Sequence, residues 1–90
     1  SIAGTSHYEN YLWYQTLATL LNGNYNKAKD LLNDLITRFP KSNEREKYHY
    51  FNAYCLKQLG NNKDAHGILE ELSLKKEPSY YVLLSQKTLG

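Results

Sequence analysis

Gly23-Asn24-Tyr25-Asn26-Lys27-Ala28 and Gly60-Asn61-Asn62-Lys63-Asp64-Ala65 are the two stretches whose reading decides the fold. Glycine, asparagine and alanine coincide in them, and leucines follow at matching offsets, Leu32 with Leu69 and Leu35 with Leu72. A second pairing extends the similarity. His49 to Gly60 aligns without gaps on Ser79 to Gly90, with identities at Tyr50/Tyr80, Lys57/Lys87, Leu59/Leu89 and Gly60/Gly90 and an aromatic residue at both 51 and 81. Gly23, Gly60 and Gly90 are therefore expected to mark one elbow of a repeating unit, with spacings of 37 and 30 residues. Such spacings bracket the ~34 residues of a helix-turn-helix repeat.

Outward from the elbows the chain reads as helix. Ser6 to Asn22 opens on Ser6-His7-Tyr8-Glu9, which reads as a capping box, and carries Leu12, Trp13, Leu17, Leu20 and Leu21 at a helical period. Tyr25 to Phe39 places Ala28, Leu31, Leu32, Leu35, Ile36 and Phe39 on one stripe, and Pro40 ends it. A third helix is expected after Asn43, with Asn43 and Glu46 as a second capping box, running to Leu59. A fourth spans about Lys63 to Leu74 with Ala65, Ile68, Leu69 and Leu72 inward. Gly67 inside it is either the site of a close helix contact or a tolerated defect of about 1 kcal/mol. A fifth helix starts at Pro78 or Ser79 and reaches Leu89. No segment alternates like a strand, so the chain is expected to be all-α with about five helices.

Composition bounds the rest. Ninety residues make one small domain with a modest core. A net charge of +2 is too small for a nucleic-acid-binding face, and no apolar run approaches the ~20 residues of a membrane span. A single cysteine, Cys55, excludes an internal disulfide and reads as a small buried apolar residue. The chain contains no methionine, which predicts an excised or processed segment, and residues 1–5 read as a flexible N-terminal arm. No signal peptide is visible, but cleavage would leave no trace of one. Cytoplasm and bacterial periplasm both fit.

The run from Gly23 to Pro40 resembles the turn and second helix of the tetratricopeptide repeat family, through turn Gly23, aromatic Tyr25, small Ala28, apolar Leu32 and Leu35, and closing Pro40. Ala53, Leu56, Gly60, Ala65, Leu69 and Leu72 fit the same template. Asn62 departs from it where an aromatic is usual, Pro78 comes one position late, and Thr16 stands where a Gly or Ala is usual. The resemblance implies a right-handed α-α superhelix. It would hold two tetratricopeptide-like repeats, about 6–40 and 43–76, and a terminal helix at about 78–89. It also implies a non-enzymatic scaffold that binds a protein or peptide on its concave face, lined by the first helix of each repeat. The Pro78–Gly90 stretch is similar to segments in the helical superhelix of soluble lytic transglycosylases. The Arg38-Phe39-Pro40-Lys41-Ser42 junction is similar to helical-repeat proteins of bacterial envelopes. The alternative reading is therefore a structural segment of a larger envelope protein.

The chemistry needed for other functions is not legible. No Cys or His pairs stand at metal-ligand spacing, and His66 with Glu70 is only two ligands, so neither metal nor cofactor is expected. No phosphate loop, nucleophile elbow or nucleophile–base pair occurs, so no enzymatic activity is expected. The candidate binding residues lie instead on one side of the third helix, where Lys47, Tyr50, Tyr54 and Lys57 stand at offsets of 3, 4 and 3. Register adds Tyr80, Leu84 and Lys87 on the fifth helix and Trp13 on the first. Two roles fit these tyrosines: walls of a groove with a positive lip, holding a peptide with apolar anchors and an acidic group, or packing between helices. The first helix has no Lys or Arg, which argues against the basic clamp of chaperone-binding tetratricopeptide domains. The terminal helix lacks a partner, so Tyr81, Val82, Leu83 and Leu84 are expected to leave an apolar face for a homodimer.

Overall fold

A computed structural model describes residues 6–77 and 79–90. The arm expected at residues 1–5 and the helix-starting role of Pro78 lie outside the described residues. The described chain is all-α: α1 (His7–Leu21), α2 (Tyr25–Arg38), α3 (Arg45–Gln58), α4 (Asn62–Ser73) and α5 (Tyr80–Leu89). Each helix packs against the next, and α3 also touches α5. The backbone measures 35 × 30 × 19 Å, and its thinnest dimension is the depth of two helices at ~10 Å each.

The first two elbows are the same structure. Gly23 has φ 76° and Gly60 φ 87°, both in the left-handed region. The Gly23 and Asn24 amides donate to the Leu20 and Thr19 carbonyls, at 2.9 and 3.2 Å. The Gly60 and Asn61 amides donate to Lys57 and Leu56, at 3.1 and 2.8 Å. This paired 5→2 and 6→1 pattern is the Schellman motif, which satisfies the last helical carbonyls and requires a residue at positive φ. At the third expected elbow, Gly90 is the C-cap of α5 and its amide donates to the Gln86 carbonyl at 2.9 Å.

The matching elbows impose matching burial. Ala28, Leu32 and Leu35 of α2 are buried, and so are Ala65, Leu69 and Leu72 of α4, 37 positions on. Thr16 and Ala53 form another buried pair at that offset, with the Thr16 hydroxyl satisfied by the Leu12 carbonyl at 2.7 Å. The main core joins Leu12, Ala28, Leu32, Leu35, Tyr48 and Cys55 from α1, α2 and α3. A smaller one forms around Ala53, Ala65 and Leu69.

Both capping boxes differ from expectation. Ser6 does cap α1, accepting from the Glu9 amide at 3.0 Å. The Glu9 carboxylate, however, does not reach back. It is 2% exposed and accepts hydrogen bonds from the Ser42 hydroxyl and from the Tyr48 hydroxyl at 2.6 Å. Burial and this carboxylate hold the Tyr48 phenol protonated, far above its ordinary range. At α3 no side chain caps the helix through Asn43; Glu44 is the cap residue, and the Ser42 hydroxyl accepts from its amide at 3.0 Å. Ser42 is thus taken by a tertiary tie and by the α2–α3 connection at once.

A Cβ placed on Gly67 meets nothing within 4 Å, so no close contact explains that glycine. Gly60 also has open space around it, but its φ is positive. The same substitution should therefore act with opposite signs in urea unfolding. Gly67→Ala should stabilise by about 1 kcal/mol, whereas Gly60→Ala should destabilise by about 1–2 kcal/mol. Tyr48→Phe removes a bond to a buried carboxylate and should cost about 2 kcal/mol in the same measurement.

Candidate functional site

The first helices of the paired units, α1 and α3, and the terminal α5 are joined by aromatic rings. Trp13 of α1 lies 5.6 Å from Phe51 of α3, and Phe51 lies 6.0 Å from Tyr81 of α5, between ring centroids. Tyr50 sits beside this row, 5.5 Å from Phe51 and 5.7 Å from Tyr81. Tyr80 stands edge-on to Tyr81 at 5.0 Å and is otherwise exposed. The pairs are at tilted and edge-to-face geometries, worth about 0.5–1.5 kcal/mol each beyond area burial.

The expected binding residues divide into three groups. Trp13 and Lys47 come together in a contact internal to the chain. The Lys47 ammonium lies 4.2 Å from the indole centroid and 3.4 Å from the Glu44 carboxylate, with its side chain only 16% exposed. It is therefore no part of an open positive lip. Tyr50, Tyr54 and Lys57 meet at a cavity of about 240 Å³, whose wall is completed by Leu69 of α4 and Thr88 of α5. Tyr54 is 41% exposed, its ring 5.9 Å from that of Tyr25 and edge-on. Lys57 is exposed and has no ion-pair partner among the described residues. Tyr80, Leu84 and Lys87 do not line this cavity; Leu84 is half-buried, and Lys87 points into solvent at the last turn of α5. A shallower depression of about 190 Å³ continues from it past Lys57 and Thr88 towards Ala65 and His66.

Sequence reasoning missed Phe51 and Tyr81 as the links of the row. The signal was present, because the 51/81 position is aromatic in both copies of the repeat. It also missed a larger depression, about 520 Å³, on the other side of α3. That depression lies between α2 and α4, over His49 and Asn52, and no local motif marks it. Asn52 reaches Asn33 of α2 only at 3.5 Å, and its carbonyl oxygen is buried without a partner.

The remaining chemistry is quiet. Burial pushes the Cys55 thiol up to about 11, which keeps it out of thiolate chemistry. His66 faces Glu70 at 3.4 Å on the exposed side of α4. Among the described residues no three His, Cys, Asp or Glu side chains converge as a metal would require. No helix among them is long and apolar enough to cross a membrane. No protein-family model matches the sequence, and no curated protein matches it.

Desolvation pulls His49 below the ordinary imidazole value of 6.5, with Lys75 adding to the shift, Glu71 opposing it and Arg45 adding again. The unfolded chain takes up this proton near pH 6.5, and the folded chain does so only at lower pH. Stability is therefore full above that value and declines as the pH falls through the folded one. The urea midpoint should drop between pH 7.5 and pH 5, and His49→Gln should make that decline shallower.

Proposed function

We propose that this chain is a non-enzymatic tetratricopeptide-like scaffold that binds a peptide or protein segment along the face made by α1, α3 and α5. The observation that carries the reading is the cavity where Tyr54 and Lys57 stand open beside half-buried Tyr50. Support for the repeat family comes from the two identical elbows and from the small and leucine positions that recur at an offset of 37. An apolar side chain of the ligand fills the space between Tyr54 and Leu69, and an acidic group meets the unpaired Lys57 ammonium. Tyr supplies ring area at low entropic cost and a hydroxyl for the ligand backbone, as aromatic anchors do at many interfaces. In this reading Trp13, Lys47, Phe51 and Tyr81 hold the platform, while Tyr54, Lys57, Tyr80 and Lys87 are free to meet the ligand.

Selection of displayed random peptides on the purified chain tests this. Recovered peptides should share an apolar anchor with a neighbouring Asp or Glu. Tyr54→Ala and Lys57→Glu should each weaken them about tenfold, the size of an ordinary hot-spot loss, with helicity unchanged by circular dichroism. Peptides that bind both variants as well as the parent would remove the cavity from the proposed function.

A further inference from the structure

The two units of the array differ at the start of their second helices. At the offset of 37 set by the Gly23 and Gly60 elbows, Leu20 and Tyr25 of the first unit correspond to Lys57 and Asn62 of the second. Leu20 and Tyr25 pack against the main core, and the Tyr25 ring stands edge-on to Tyr54 of α3 at 5.9 Å. Lys57 and Asn62 are exposed, and neither joins the smaller core. Space stands where the lost side chains would pack. Asn62, Ala65 and Leu69 of α4, Lys57 of α3, and Thr88 and Leu89 of α5 line the depression of about 190 Å³.

This gap lies where three packed helices meet, since α4 packs against both α3 and α5 and α3 touches α5. Of the four α5 residues expected to be uncovered for a homodimer, Val82 is buried, Tyr81 and Leu84 are half-buried, and only Leu83 is exposed. Nor is the counterpart in the first unit filled by the next second helix. There α4 stays out of packing range of α2, and the filling comes from Leu20 and Tyr25 of the unit itself.

We infer that the gap takes an aromatic side chain of the bound segment, so that the ligand supplies the ring that position 62 lacks. The inference rests on the peptide-binding reading above and names the anchor. Whole-ligand pockets are roughly 300–1,000 Å³, so this space suits one side chain rather than a cofactor. A closed apolar cavity of about 150 Å³ already takes a benzene ring. The floor is apolar, with Ala65 and Leu69 buried, and the rim is polar, which fits a ring with a wet edge. Lys57 borders both this gap and the cavity beside Tyr54. Its ammonium can meet a ring face and an acidic group of the same ligand. No acidic side chain lines either space, so a segment with an aromatic residue next to Asp or Glu is favoured over a basic one.

NMR titration of the nitrogen-15-labelled chain with p-cresol, the tyrosine side chain alone, tests this. The amides of Ala65, Leu69 and Thr88 should shift, with a dissociation constant on the order of 1 mM, as so few atoms allow. Asn62→Tyr should refill the gap from within and weaken p-cresol about tenfold or more, with helicity unchanged, while Asn62→Ala should leave it bound. Peptides from the selection above should carry an aromatic residue beside an acidic one and lose about tenfold on Asn62→Tyr but not on Asn62→Ala. If p-cresol leaves these amides unmoved, or if peptides that need Tyr54 and Lys57 bind Asn62→Tyr as well as the parent, the inference is overturned and the scaffold reading stands. A selection that returns no peptide overturns both.

Discussion

The buried carboxylate of Glu9 is the constraint on which the orientation of α1 depends. The helix has apolar or aromatic residues around most of its circumference, so hydrophobic burial alone leaves its rotation weakly specified. A single ionisable side chain removes that freedom, because a buried carboxylate without hydrogen bonds is far costlier than a misplaced tyrosine. Ser42 from the α2–α3 connection and Tyr48 from α3 supply those bonds. Once Glu9 points at them, Leu12 and Thr16 turn into the interior, Trp13 joins the aromatic row, and Tyr11 and Tyr14 must face outward. A lone polar group that fixes register is the best-attested use of buried polarity, and here it selects which rings of α1 are structural and which are open.

The glycine elbows set the second level of order. Each ends a helix with a left-handed residue and sends the chain back antiparallel, so α2 and α4 meet their partners with the same small and leucine positions. With α1 out of packing range of α4 and α5 among the described residues, the array stays open rather than closing into a bundle. An open array has a continuous face, and the aromatic row occupies it.

Much of this was legible in the sequence for one reason: the elbows and the helix stripes are local. Gly23 and Gly60 need left-handed backbone, and Ala28, Leu32 and Leu35 recur at helical spacing, so five helices and their paired arrangement follow from neighbours in the chain. What was not legible depends on residues far apart. Ser6 and Glu9 have capping-box spacing, yet the carboxylate bonds to side chains 33 and 39 positions away. Lys47 shares a helical stripe with Lys57, but only the fold brings Trp13 beneath one of them. The large depression over His49 and Asn52 is made by three helices, and no one of them carries its signature.

The same distinction separates stability from recognition within the aromatic row. Rings that bridge two helices, such as Phe51 between Trp13 and Tyr81, are half-buried and lose packing on both sides when truncated. Tyr50 is of this kind although it also lines the cavity, so its truncation would disturb the α3–α5 contact and the cavity wall together. Tyr54 packs against Tyr25 and Phe51 through ring edges and keeps much of its surface in water. Stability therefore constrains Tyr54 less than it constrains Tyr50, and the exposed Lys57 less again. If the face binds a ligand, specificity can change at Tyr54 and Lys57 while Trp13, Phe51 and Tyr81 hold the platform unchanged.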